Sequence, residues 1–198
     1  MFDNRMDSLP KGSLTGKLLV ASPFTHTGFP FAEAVVLVLQ DTPEGVFGVV
    51  LNRPASPDML VAWEEAIGAE APAEARLVSG GPVQGPIMAI HRKQELAGVE
   101  LRRGLFVSVQ KTAIDKLNRI GSDESDLPFR IVMGAVNWPE DQLQQEVDNG
   151  FWFVHDAKSD LVFSEAEDLW LRSVLSCGDS FIMDLAGMSE LPAYPSLN

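Results

Sequence analysis

Three histidines and one cysteine are the side chains of this 198-residue chain best suited to proton transfer, nucleophilic attack or metal binding near neutral pH. His26 lies between Thr25 and Thr27 in a polar stretch, His91 ends an apolar run, and His155 precedes Asp156. No two histidines, and no histidine with the cysteine, share a local spacing that would present two donors to one metal ion. Each is therefore expected to be structural or solvent-facing, and no metal site is expected. Cys177, within Val174-Leu175-Ser176-Cys177-Gly178, falls at what reads as the end of a helix. It favours a buried structural thiol, and a single cysteine allows no intrachain disulfide.

Three further stretches carry residue types that build sites. In Ser79-Gly80-Gly81-Pro82 two glycines follow an apolar run, so successive N–H groups could converge on an anion; the alternative is a tight turn that needs positive φ. Asn52-Arg53-Pro54 ends another apolar run. Its proline biases Arg53 to an extended backbone at a strand end, where Arg53 either meets a ligand or ties loops together. From Trp138 to Trp152, Gln142, Glu146 and Asn149 fall on one helical face, which either lines a cleft or is an ordinary wet surface. The acid-rich Ser122-Asp123-Glu124-Ser125-Asp126 lacks the spacing and central glycine of a calcium loop and reads as a solvated turn. Phosphate-loop, dinucleotide, zinc-protease, redox and serine-hydrolase signatures are all absent.

The elements that must position these residues follow from periodicity and breakers. Lys17 to Ala21 reads as a strand. Ala34–Gln40 and Val46–Leu51 read as a hairpin joined by Asp41-Thr42-Pro43-Glu44-Gly45, and their nearly continuous apolar character places them centrally, covered on both faces. Ser56-Pro57-Asp58 opens a helix that runs to Gly68, with Met59, Trp63, Ala66 and Ile67 on one face. Thr112 with Asp115 resembles a capping box for a second helix, which runs to Gly121. Asn137–Asn149 reads as a third helix, and Ser164 with Glu167 opens a fourth. Further strands are expected at 76–79, 87–91, 105–109, 129–136, 151–155 and 161–163. The pattern implies an α+β class, a single domain with a mixed, largely antiparallel sheet and flanking helices. Residues 1–15 read as a flexible arm, 16–190 as the domain and 191–198 as an extended tail.

Composition narrows the partners. Twenty-eight acidic against 15 basic residues give a formal net charge of −13, and the basic residues form no polybasic run. A field of that sign repels phosphate backbones and anionic bilayers, so direct nucleic-acid binding is disfavoured and no membrane association is expected. No stretch approaches the ~20 apolar residues of a membrane helix, and no signal-peptide core opens the chain, so the expected location is cytoplasmic.

The same stretches, in order, resemble the YqgE/AlgH family of bacterial proteins. The resemblance rests on Gly16-Lys17-Leu18-Leu19-Val20-Ala21-Ser22-Pro23, Phe31, Val35-Val36 and Gly45 to Pro54. It continues through Gly80-Gly81-Pro82-Val83, His91, Gly134, Trp138, Gln142-Leu143, Glu146, Trp152, Asp160 to Phe163 and Trp170, and spans about residues 14–180. It implies an α+β domain whose sheet bends into a partial barrel. Family members are often labelled transcriptional regulators, but no established catalytic residues come with them. The chain departs from the family at Ala135, where an aromatic is usual, at Pro139-Glu140-Asp141, where a glycine-containing turn is usual, and at Gln144, where a glutamate is common. The motif positions Asn52, Arg53, Gly80, Gly81, Pro82, His91, Trp138, Gln142 and Glu146 are the candidate ligand-binding residues, expected to share one cleft. The leading expectation is a binding or regulatory protein without chemistry of its own, needing no cofactor and acting through a protein or small-molecule partner. One alternative is an enzyme, for instance a hydrolase with His91 or Glu146 as base; another, disfavoured, is direct DNA binding.

Overall fold

The hairpin expected between the two β-branched runs forms, and the strands extend until only Pro43 and Glu44 remain as its turn. The structure is a computed structural model that describes residues 12–25, 28–72, 76–96, 98–122 and 128–186. Its elements in chain order are β1 (Lys17–Ala21), β2 (Val35–Thr42), β3 (Gly45–Val50), α1 (Pro57–Ile67), β4 (Leu77–Ser79), β5 (Met88–His91), β6 (Val99–Arg102) and β7 (Leu105–Ser108). There follow α2 (Lys111–Ser122), β8 (Phe129–Met133), β9 (Val136–Pro139), α3 (Gln142–Asp148), β10 (Trp152–Asp156), α4 (Ser159–Val162) and α5 (Ala166–Ala186).

The α+β class holds, with the strands of the described residues divided between two five-stranded sheets that close no barrel among them. The first sheet has the order β10-β1-β2-β3-β9 and the second β4-β8-β5-β7-β6. Among the described residues every strand pairing is antiparallel except that of β4 with β8. Strand side chains alternate faces, and the central strands feed two cores. Leu18, Val20, Leu37, Val49 and Leu51 point toward the second sheet, where they meet Val78, Ile90 and Val132 beneath α4 and α5. Leu19, Val36, Val38 and Val50 pack on the opposite side with Trp138, Leu143, Val147 and Trp152. A third core holds the far face of the second sheet against Trp63 of α1 and Ile114 and Leu117 of α2. Burying such side chains contributes about 1.5–3 kcal/mol each before the entropy of ordering them is counted. Leu14, in the segment read as an arm, is also buried, with its N–H donating to Asp41 Oδ2. The rest of that arm (1–11), the 191–198 tail and the acid-rich 123–127 lie outside the described residues.

Several boundaries differ from the sequence expectation. The run 129–136 is broken at Gly134 (φ 83°), where the chain leaves the second sheet and enters the first as β9. The expected helix Asn137–Asn149 is therefore a strand followed by a shorter helix. Val136 and Trp138 are buried while Asn137 and Pro139 are exposed, a period of two that pairs with β3, and only Leu143 and Val147 have helical spacing. The expected strand 161–163 is the short helix α4, its turn closed by Val162 N–H donating to Lys158 O and Phe163 N–H to Ser159 O. Thr112 lies inside α2, where the N–H groups of Ala113 and Ile114 are taken by Gln110 O, and no capping box of Thr112 with Asp115 is formed among the described residues. Ser164 donates to Leu161 O instead of capping α5, which begins at Ala166. β6 has no counterpart in the sequence expectation. By contrast α1 has the anticipated ends: Ser56 Oγ accepts from Met59 N, Pro57 occupies the first turn, and Gly68 in the left-handed region donates to Glu64 O. Among the described residues no helix is long and apolar enough to cross a membrane.

Candidate functional site

The two sheets are stitched together at one end, and that seam forms a cleft. Beyond β3, Pro54 bridges Val78 of β4, Arg53 O accepts from Ser79 N, and Gly80 O accepts from Val50 N. Gly80 and Gly81 cross the β8–β9 junction so closely that a Cβ on Gly80 would lie 2.2 Å from Gly134 O, and one on Gly81 2.3 Å from Ala135 O. The glycines are there because two backbones meet. Gly80 N–H donates to Met133 O at 2.7 Å and Gly81 has φ 139°, so the pair is the tight turn of the two readings, with Gly80 N–H committed within it.

The cleft beside this seam has a volume of about 750 Å³. Its walls are largely apolar: Pro30, Phe31, Val50, Met59 and Ala62 of α1, Val83, Ile87 and Met133. Arg53, Ser79 and Gln84 supply the polar side chains. Arg53 is held by a 2.6 Å hydrogen bond from Nη2 to Ala32 O. Asn52 anchors the same turn, with Oδ1 accepting from Val35 N and Nδ2 donating to Glu33 O. Of the two readings set for Arg53, the tie between loops is formed, and its side chain also lines the cleft. Arg53, Gly81 and Pro82 line the cleft, with Asn52 and Gly80 as their immediate supports.

The other candidates lie elsewhere, so the single shared cleft expected for them is not formed. His91 is fully buried in the second sheet, stacked on Phe106, with Nε2 2.8 Å from Ser108 Oγ and Nδ1 accepting from Lys93 N. Trp138, Gln142 and Glu146 make a separate cluster with Trp152. Both indole N–H groups donate to Glu146 Oε2, at 2.9 and 2.7 Å, and Gln142 Nε2 donates to Oε1 at 2.8 Å. Phe31 is the link: its ring centroid is 6.1 Å from Trp138 and 5.9 Å from Trp152, while its side chain lines the cleft. Gln144 pairs with Asp148 on the surface of α3. His155 Nδ1 bonds Asp156 O and Nε2 lies 3.0 Å from Ser176 Oγ, holding α5 to β10. Burial pushes the Cys177 thiol up to about 12, so it stays protonated and inert. His26 lies outside the described residues. Among the described residues no three histidine, cysteine or carboxylate side chains come together as a metal site.

The sequence singled out no apolar wall of the cleft, because Val50, Met59 and Met133 each read as ordinary core positions. Phe31 was visible only as a position of family resemblance.

A family model described as AlgH-like matches residues 18–181. The chain belongs to the AlgH-like family. A UPF0301 protein of Chlorobium limicola is 32% identical over 187 residues, covering 92% of this chain and 95% of its own. Another, from Thermobifida fusca, is 32% identical over 202 residues, covering 94% and 96%. The solution structure of the AlgH protein from Pseudomonas aeruginosa superposes with a TM-score of 0.65 at 22% identity, over 94% of this chain and all of that one. A crystal structure from Corynebacterium diphtheriae does so at 0.63 and 21%, over 98% and 96%. These likenesses carry the AlgH-like fold.

His91 gives the AlgH-like chain a pH signature. Burial holds its imidazole below the ordinary value of 6.5, and protonation would also set Nδ1–H against the Lys93 N–H it now accepts. The unfolded chain therefore takes up the proton first as pH falls. The stabilisation is complete above about 6.5 and is lost progressively from there down through the lower folded value. The urea midpoint is expected to fall between pH 7.5 and 5, and a His91→Gln variant should flatten that part of the profile. An unchanged slope in the variant would assign the loss to other groups.

Proposed function

We propose that this protein is a binding protein with no chemistry of its own, acting in the cytoplasm, and that the cleft beside the sheet seam is its ligand site. The observation that carries this reading is the lining itself. It has the size of a small-molecule pocket, mostly apolar walls and one oriented cation. Among the described residues it includes Ser79 but no histidine or carboxylate to activate it. The bases an enzyme would have drawn on lie off the cleft: His91 is enclosed by its own sheet, and Glu146 is occupied by three donors. A net charge of −13 favours a small molecule or protein over nucleic acid as the partner.

Native and denaturing mass spectra of gently purified protein test this. A retained small molecule is expected, and it should be absent from an Ala62→Trp variant, in which an exposed wall residue of α1 is enlarged to fill the cleft. Retention of the same mass by that variant, or its conversion to another mass on incubation, would overturn the reading.

A further inference from the structure

Resting on that reading of the cleft as a ligand site, we infer that its occupant is a small apolar carboxylate, held by Arg53 at the mouth and by hydrocarbon walls within. Among the described residues Arg53 is the only charged one that lines the cleft. Nη2 gives one hydrogen to Ala32 O, and no other partner takes the guanidinium among the described residues. Five N–H groups less one still leave a complete pair of parallel donors, the geometry that a carboxylate accepts bidentately. The bond to Ala32 O also orients the guanidinium before any ligand arrives, which lowers the entropy cost of binding.

A phosphate fits less well. Anion sites for phosphate gather several backbone N–H groups on one point, and several of those beside this cleft, including that of Val83, which donates to Ala135 O, are already used. Gly80 N–H is bonded to Met133 O, Pro57 at the start of α1 has none, and Met59 N–H is bonded to Ser56 Oγ. A dianion would also enter against a protein of net charge −13, with Asp58 exposed beside Met59. One arginine offsets one charge. The remaining lining supplies an apolar body: Phe31, Val50, Ile87 and the two methionines, Met59 and Met133, whose unbranched side chains adapt to an alkyl or aryl group.

The test is a set of nitrogen-15 NMR titrations of the full chain with octanoate, 1-octanol and octyl phosphate, below their micelle concentrations. Octanoate is expected to shift the amides of Arg53, Gly81, Val83 and Gly134, and to bind roughly ten- to a hundred-fold more tightly than octanol, the range of a charge-assisted hydrogen-bond pair. Arg53→Met should reduce octanoate to the affinity of octanol and leave octanol unchanged, with Arg53→Lys between them. Octanol binding as tightly as octanoate, at the same amides, would overturn the carboxylate and leave the cleft standing as a ligand site. Octyl phosphate binding more tightly than octanoate would overturn it in favour of a phosphate. If no probe shifts a cleft amide, the inference and the reading beneath it both fall.

Discussion

Replacing Glu146 with alanine is expected to lower the unfolding free energy by about 3–5 kcal/mol, because a buried donor left unsatisfied costs roughly 1–3 kcal/mol and bonds to a charged acceptor are the stronger kind. Trp138 and Trp152 are almost wholly buried, and their indole N–H groups converge on one oxygen, Glu146 Oε2. Neither indole has a second acceptor among the described residues. Glu146→Gln should be much milder, since an amide oxygen still has two lone pairs and Gln142 can turn its own oxygen toward the new NH₂; only the charge-assisted share, about 1–2 kcal/mol, is lost. Urea unfolding followed by tryptophan fluorescence reads both variants. A cost below about 1 kcal/mol for the alanine variant would mean that the indoles find other acceptors and that the carboxylate does not organise this core. The consequence reaches the cleft, because Phe31 packs on both tryptophans and forms part of its wall.

The contrast between this clamp and its sequence signal shows why the site was only partly legible. Gln142 and Glu146 are visible as an i, i+4 polar pair, and their contact is of that kind. Nothing in the spacing shows that Trp138, on β9, and Trp152, on β10, aim at the same oxygen from either side of α3. Strand order does not show it either: β9 and β10 are opposite edges of one sheet, yet their tryptophan ring centroids lie 5.8 Å apart and both indoles reach Glu146 of α3, a meeting that only the tertiary arrangement produces. Arg53, Gly81 and Pro82 were legible because an arginine before proline at a strand end and a glycine pair after a strand are unusual locally. The apolar walls were not, since a cleft and a core use the same residues and only the tertiary arrangement leaves one side of them uncovered.

Secondary structure was legible where local chemistry and tertiary demand agree. The β2–β3 hairpin and α1 have turn and cap residues at their ends, and the structure keeps both. It was illegible where burial overrides pattern. β6 is an edge strand with Val99 and Glu100 exposed, so it carries little apolar signal. α4 buries consecutive residues, as a central strand also can. Most consequential was Gly134: carried unremarked within one expected strand, 129–136, it merges two sheets into one, whereas its positive φ is what lets the chain pass between them.

Gly81→Ala is the second substitution expected to have a large effect, destabilising the protein by about 3–5 kcal/mol, the combined order of left-handed backbone strain and of forcing a group into a packed site. Gly81 has φ 139°, and an added Cβ would sit 2.3 Å from Ala135 O and 2.6 Å from Val136 Cγ1. The first of these is backbone, bonded through Ala135 and Val83 in both directions, so it can move only if the sheet junction opens. Gly85→Ala is the internal control. It lies on the same loop and also lines the cleft, but a Cβ there would meet nothing within 4 Å, so its stability should change by less than about 0.5 kcal/mol. Thermal or urea unfolding of the two variants separates close backbone approach from mere membership of a glycine-rich loop; equal, small effects would show that the seam is loose. Because the Gly81 contact both joins the sheets and borders the cleft, its loss should weaken ligand retention together with stability. Gly85→Ala can alter retention alone, and that difference tells a site that depends on the seam from one that merely sits beside it.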